Sequence, residues 1–177
     1  MGLRSHQPPD RSTPTGNLRV SFTVWLEGSA LAVWTRESGS IWAYPTILTL
    51  HTVGLGIVVG ANAVVDFRLL GFVPRLPVPS LTPLFGFMWF GLVVNVVTGV
   101  VLFIAEATTR ATQPVFYIKL TLIGLALVNT KLIQTAMFRD PALFESSIIP
   151  QRDKRLAAMS LLLWIGAITA GRLMAYV

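Results

Sequence analysis

The chain has 177 residues, 53% of them hydrophobic and 12% charged. An ordinary soluble domain is roughly 25% charged, so a polytopic membrane protein is the class that remains. The formal charge of +6 does not argue for nucleic acid, because the basic residues flank apolar segments, where they suit anionic lipid head groups, and the lack of cysteine excludes disulfides, thiolate metal sites, iron–sulfur clusters and covalently attached haem.

At this length there is room for one compact bundle and no separate soluble domain. Residues 1–17, with Pro8, Pro9, Pro14 and Gly16, read as a disordered tail. The tail lacks the apolar segment and small-residue cleavage site of a signal peptide, so it is expected to be retained. From 18 to 38, Phe22, Trp25, Leu26, Ala30 and Val33 recur at helical spacing, interrupted by Arg19, Glu27, Arg36 and Glu37. That stretch is too broken to span. It predicts an interfacial amphipathic helix anchored by Trp25 and Trp34.

Residues 44–177 predict an all-α transmembrane four-helix bundle, with spans at about 44–65, 83–105, 114–137 and 156–176. Trp42 and Tyr44 suit an aromatic belt, and Pro45 sits in the tolerated first turn of the first span. Thr82-Pro83 reads as a cap and first turn for the second. The third carries Lys119 and Lys131, with only eleven uncharged residues between them. Arg68 and Arg75 in one connection, and Arg139, Arg152, Lys154 and Arg155 in another, place both termini outside the cytoplasm by the positive-inside rule.

This topology sorts the buried polar residues by depth. His51 lies about 10 Å in from Tyr44, and Lys119 about 7 Å in from Pro114. The two returning helices bring Glu106 and Arg172 to the same leaflet. Each helix therefore contributes one ionisable residue, His51, Glu106, Lys119 or Arg172, to a candidate cofactor-binding layer. A second polar layer collects Asn62, Asp66, Arg68, Asn129, Lys131 and Gln134, with Asn95 near mid-membrane. Ionisable groups at such depth are costly without a partner or a function. Bland explanations exist for each: Lys119, Lys131 and Arg172 can snorkel, Glu106 can end its helix in water, and asparagines can join helices. His51 cannot snorkel. Gly56 and Gly60 form a small-xxx-small pair that predicts close approach of another helix.

The chain resembles a bacterial domain-of-unknown-function family of small four-helix inner-membrane proteins. The markers are Trp25-Leu-Glu, Leu50-His51, Asp66-Phe-Arg68-Leu-Leu-Gly71, Thr98-Gly99-Val-Val-Leu-Phe103, Phe116-Tyr-Ile-Lys119 and Ala170-Gly-Arg172-Leu-Met-Ala-Tyr176. Phe67 replaces the usual leucine. The resemblance implies a multi-pass protein of the bacterial inner membrane and no established activity. Through His51 and Lys119 alone, the chain is also similar to copper-resistance CopD-type proteins and HemJ-type protoporphyrinogen oxidases. That similarity implies haem.

Three functions are compatible with these residues. A haem- or redox-linked protein would ligate haem b through His51, with Lys119 or Arg172 on the propionates. One intramembrane histidine allows at most one-His ligation per chain, so a second ligand such as Met174, an open position or a homodimer would complete it. An accessory or assembly subunit of a larger membrane complex would use the polar layers as glue between helices. A small proton- or solute-handling transporter component would use them as a relay. No phosphate loop, zinc pair or nucleophile elbow points to a soluble-enzyme mechanism, and whether the chain is an enzyme stays open.

Overall fold

The computed structural model describes residues 14–139 and 149–176. These residues form seven α-helices and one short 3-10 turn: α1 Pro14–Glu27, α2 Ala30–Glu37, α3 Tyr44–Leu70, α4 Thr82–Ala105, α5 Ala107–Thr112, α6 Pro114–Arg139 and α7 Gln151–Leu173. Four of them, α3, α4, α6 and α7, are long and apolar enough to cross a bilayer. Their outward faces carry Phe87, Phe90, Val93, Val97, Leu162 and Ile165, all more than half exposed, as lipid contact requires. The chain is a multi-pass helical membrane protein.

The helix ends depart from the spans expected above. The α3 helix runs past residue 65 to Leu70, because Asp66 and Arg68 are buried and do not mark the exit into water. What ends it is Gly71 at φ 89°, where Gly71 N–H donates to Arg68 O and Phe72 N–H to Phe67 O. The Phe67 and Phe72 rings meet edge-on at 5.9 Å, completing a Schellman closure. Likewise α7 starts at Gln151, so the charged run Arg152-Asp-Lys-Arg155 is its first turn and not a loop. Asp153 there faces the positive end of the helix dipole.

The expected single interfacial helix over 18–38 is two helices. Gly28 and Ser29 separate them, and Ser29 Oγ caps α2 by accepting from Ala32 N–H at 3.3 Å. The α1 helix also begins at Pro14, inside the stretch assigned to the tail; residues 1–13 lie outside the described residues. Two bonds fasten this pair to the bundle. Arg36 donates to Ala105 O at 3.1 Å, and Thr108 N–H donates to Glu27 Oε1 at 2.7 Å.

Within the bundle α3 packs against α4 and α7, and α6 packs against α7. The α3–α4 crossing is tight because two glycines meet there. A Cβ on Gly54 would lie 3.0 Å from Gly91 O, and one on Gly91 would lie 2.8 Å from Ile57 Cγ2. Gly56 and Gly60, expected to make the close approach, have open space around them. They sit on the other flank of α3. Large side chains, among them Leu69, Phe85, Met88, Ile133 and Trp164, fill the half of the bundle farther from α5. The half nearer α5 is hollow.

Candidate functional site

The hollow end is a cavity of about 320 Å³ whose lining includes His51, Glu106, Lys119 and Arg172. The four helices thus bring the whole predicted layer to one space. Tyr44, Phe103, Arg110, Phe116 and Met174 line it as well. An apolar trough of about 610 Å³ adjoins it along α3, lined by Leu55, Gly56, Val59, Gly60, Ile123 and Ala167. His51, Lys119 and Arg172 line both spaces and so stand at their divide.

His51 is held from α4. Its Nδ1 lies 3.0 Å from Asn95 O and 3.1 Å from Thr98 Oγ1. A backbone carbonyl only accepts, so Nδ1 must carry the proton. Thr98 already directs its hydroxyl to Val94 O at 2.7 Å, which leaves its oxygen as a second acceptor for the ring. Both contacts call for the proton on Nδ1, so in the neutral ring the lone pair is on Nε2, which makes no hydrogen bond among the described residues. Gly99 gives the ring its place: a Cβ there would come within 3.0 Å of His51 Cε1.

The charges around the ring do not cancel. Glu106 pairs with Arg110 at 2.6 Å, and Arg110 also donates to Met174 O at 2.9 Å and to Gln113 Oε1 at 3.2 Å. Lys119 lies along Gly171, with Nζ 3.8 Å from where a Cβ would stand. Neither Lys119 nor Arg172 makes an ion pair or hydrogen bond among the described residues. The cavity therefore presents two uncommitted cations and one committed pair. The formal charge of its lining is positive.

The second layer is a set of separate contacts. Thr130 donates to Asn62 Oδ1 at 2.7 Å, joining α6 to α3, and Asn62 Nδ2 donates to Val58 O at 2.9 Å. Asn129 Nδ2 donates to Leu156 O of α7 at 2.9 Å. Asp66, 1% exposed, faces Ser160, yet Asp66 Oδ2 and Ser160 Oγ have no partner of hydrogen-bonding geometry. Arg68 Nε donates to Leu76 O at 2.8 Å, and Lys131 lies over the Trp89 ring at 4.8 Å. Asn95 does not belong with this set. The Gly54–Gly91 crossing brings it against His51, to whose carbonyl its Nδ2 donates at 2.8 Å.

Sequence reasoning missed Arg110 as a member of the site. Its spacing of four from Glu106 was the available signal, since i,i+4 opposite charges meet on a helix surface. Comparison of the chain with protein-family models, with curated proteins and with solved structures finds no match.

Proposed function

We propose that the protein binds haem b in the cavity at the α5 end of the bundle, with His51 Nε2 as the iron ligand. The carrying observation is the state of the histidine. A ring that donates Nδ1–H to a backbone carbonyl has its tautomer and orientation set for ligation through Nε2, the usual second-shell arrangement of ligating histidines. An anionic solute with neither a metal nor a hydrogen-bond donor would use the two cations and leave that lone pair idle. Haem engages both, because its propionates are anions and its iron takes an axial imidazole.

The residues present fit the group. Among the described residues no three His, Cys, Asp or Glu side chains gather, so a bare metal ion would lack ligands. A porphyrin brings four of its own and needs one from the protein. Lys119 and Arg172 would hold the propionates, and the stacked Phe103 and Phe116 rings, 5.2 Å apart, would offer an apolar edge. The volume lies within the ≈ 300–1,000 Å³ of small-molecule sites, and the adjoining trough extends it. When bound, haem supplies one-electron chemistry. We place the protein in a bacterial inner membrane with both termini outside the cytoplasm, on the resemblance and the charge bias already given.

The test is an absorption spectrum of detergent-purified protein, before and after addition of haem b, with His51→Ala beside it. Saturable uptake of one haem per chain, lost in the variant, is the expected result. A parent protein that neither carries haem absorption nor saturates with added haem would sink the proposal.

A further inference from the structure

The apolar trough exists because two of the spanning helices stand apart. The α3 helix packs on α4 and α7, and α6 packs on α7, but α3 and α6 scarcely meet. Thr130 and Asn62 join them two residues beyond Gly60. From Gly60 back to Leu48 the trough runs beside α3, lined also by Ile123 of α6 and by Ala167 and Ile168 of α7. Those twelve residues of α3 span about 18 Å. One leaflet's share of a hydrocarbon core of roughly 30 Å is about 15 Å, so the trough is as deep as one leaflet. Gly56 and Gly60 are exposed along it, and a Cβ on either would meet nothing within 4 Å. These glycines make room, not a helix contact. A groove open to the bilayer at this depth holds hydrocarbon, since the bilayer core has no water to offer.

The outer end of the trough is polar. Lys119 Nζ lies 3.8 Å from where a Gly171 Cβ would stand, and Gly171 lines the trough. That nitrogen donates hydrogen bonds in either protonation state. Arg172 lines the same end, is exposed in the last turn of α7, and is charged at any pH a membrane meets. Its five N–H donors are enough for an anion on each side of the divide between trough and cavity. The occupant that suits the whole trough is a hydrocarbon chain of one leaflet's length with an anion at its outer end. A phospholipid carries that anion at head-group level, where the end of α7 places Arg172.

We propose that the trough binds one anionic phospholipid of the surrounding bilayer, with an acyl chain along residues 55–60 of α3 and its phosphate at Arg172 and Lys119. This inference stands apart from the haem reading, and its assay contains no added haem. Native mass spectrometry of the full-length protein in mild detergent, titrated with phosphatidylglycerol or phosphatidylcholine of identical chains, tests it. The parent should retain one phosphatidylglycerol per chain and prefer it over phosphatidylcholine by roughly fivefold, the effect of one basic side chain at an anionic lipid surface. Gly56→Leu combined with Gly60→Leu should lose retention of both lipids while unfolding thermally at or above the parent's temperature. Arg172→Gln should keep a lipid and lose the head-group preference; if the leucines unfold the chain, this variant decides. Parent-like retention by the folded double variant, or no preference in the parent, would overturn the proposal. So would retention of oleate in place of phosphatidylglycerol, or a dimer that the leucines dissociate, because each gives the trough to another occupant. Haem uptake, titrated separately, decides the haem reading alone.

Discussion

His51 and Asn95 hold each other by exchange: the histidine ring donates to the asparagine's backbone carbonyl, and the asparagine's amide donates to the histidine's. The two bonds differ in consequence. The first orients the ring; the second only ties α3 to α4. Asn95→Ala removes the second and leaves the carbonyl that receives Nδ1–H. Thermal or denaturant unfolding in detergent should show a loss of about 0.6 kcal/mol, the average for hydrogen bonds between membrane helices, and no more than about 1.7 kcal/mol, with haem affinity near that of the parent. A large loss of haem binding with unchanged stability would reverse these roles.

Gly99 is the more sensitive position for binding. A methyl group 3.0 Å from His51 Cε1 and 3.4 Å from Nδ1 pushes the ring away from both acceptors. Each bond is worth about 1 kcal/mol. Gly99→Ala should therefore weaken haem binding by roughly tenfold or more, measured by titration. Unaltered affinity would mean that the Nδ1 contacts do not prepare the ring.

The helix crossing separates two kinds of glycine. Gly91→Ala must displace Ile57 and the Gly54 backbone, at a cost of about 1–3 kcal/mol in unfolding free energy. Gly56→Ala and Gly60→Ala meet nothing within 4 Å and should leave stability unchanged. Equal effects at Gly56 and Gly91 would show that the crossing is not where the glycines are needed.

These glycines also show how much could be read without coordinates. Four spans follow from apolar runs, and depth counted at a fixed rise per residue carries His51, Glu106, Lys119 and Arg172 to one level. Helical periodicity cannot say which flank of α3 meets α4, so the pair at 56 and 60 drew attention that belonged to 54. Charge misled in the same way at the ends. Asp66 and Arg155 look like exits into water, but helices continue through both residues. Asn95 and Arg110 acquire their roles only from the neighbours that tertiary packing supplies.

Opposite charge changes in the cavity should have opposite effects. Glu106→Gln removes its one carboxylate and should tighten binding of an anionic ligand several-fold. Lys119→Gln should weaken it by a comparable factor. A unit charge near 8 Å is worth about 2 kcal/mol at an effective dielectric of 20, which sets the ceiling for both. Titrations at low and high salt measure the effect. Shifts of the same sign in the two variants would count against an electrostatic site.

The Asn62–Thr130 bond is structural. Thr130→Val keeps the shape and strips the donor from a fully buried pair, leaving Asn62 Oδ1 unsatisfied. A loss of about 1–3 kcal/mol in unfolding free energy is expected, with haem titration unchanged. A haem defect in this variant would connect the second layer to the first.

The trough that shares His51 with the cavity has Thr52, Gly56, Gly60 and Ile168 on its rim, all exposed on the flank that faces lipid. On the aqueous side, α1 and α2 are tied down by Glu27 and Arg36. Under the proposed binding, a membrane-dissolved ligand would have a lateral way to His51 through that opening, and the concentration it offers would be the one in the bilayer.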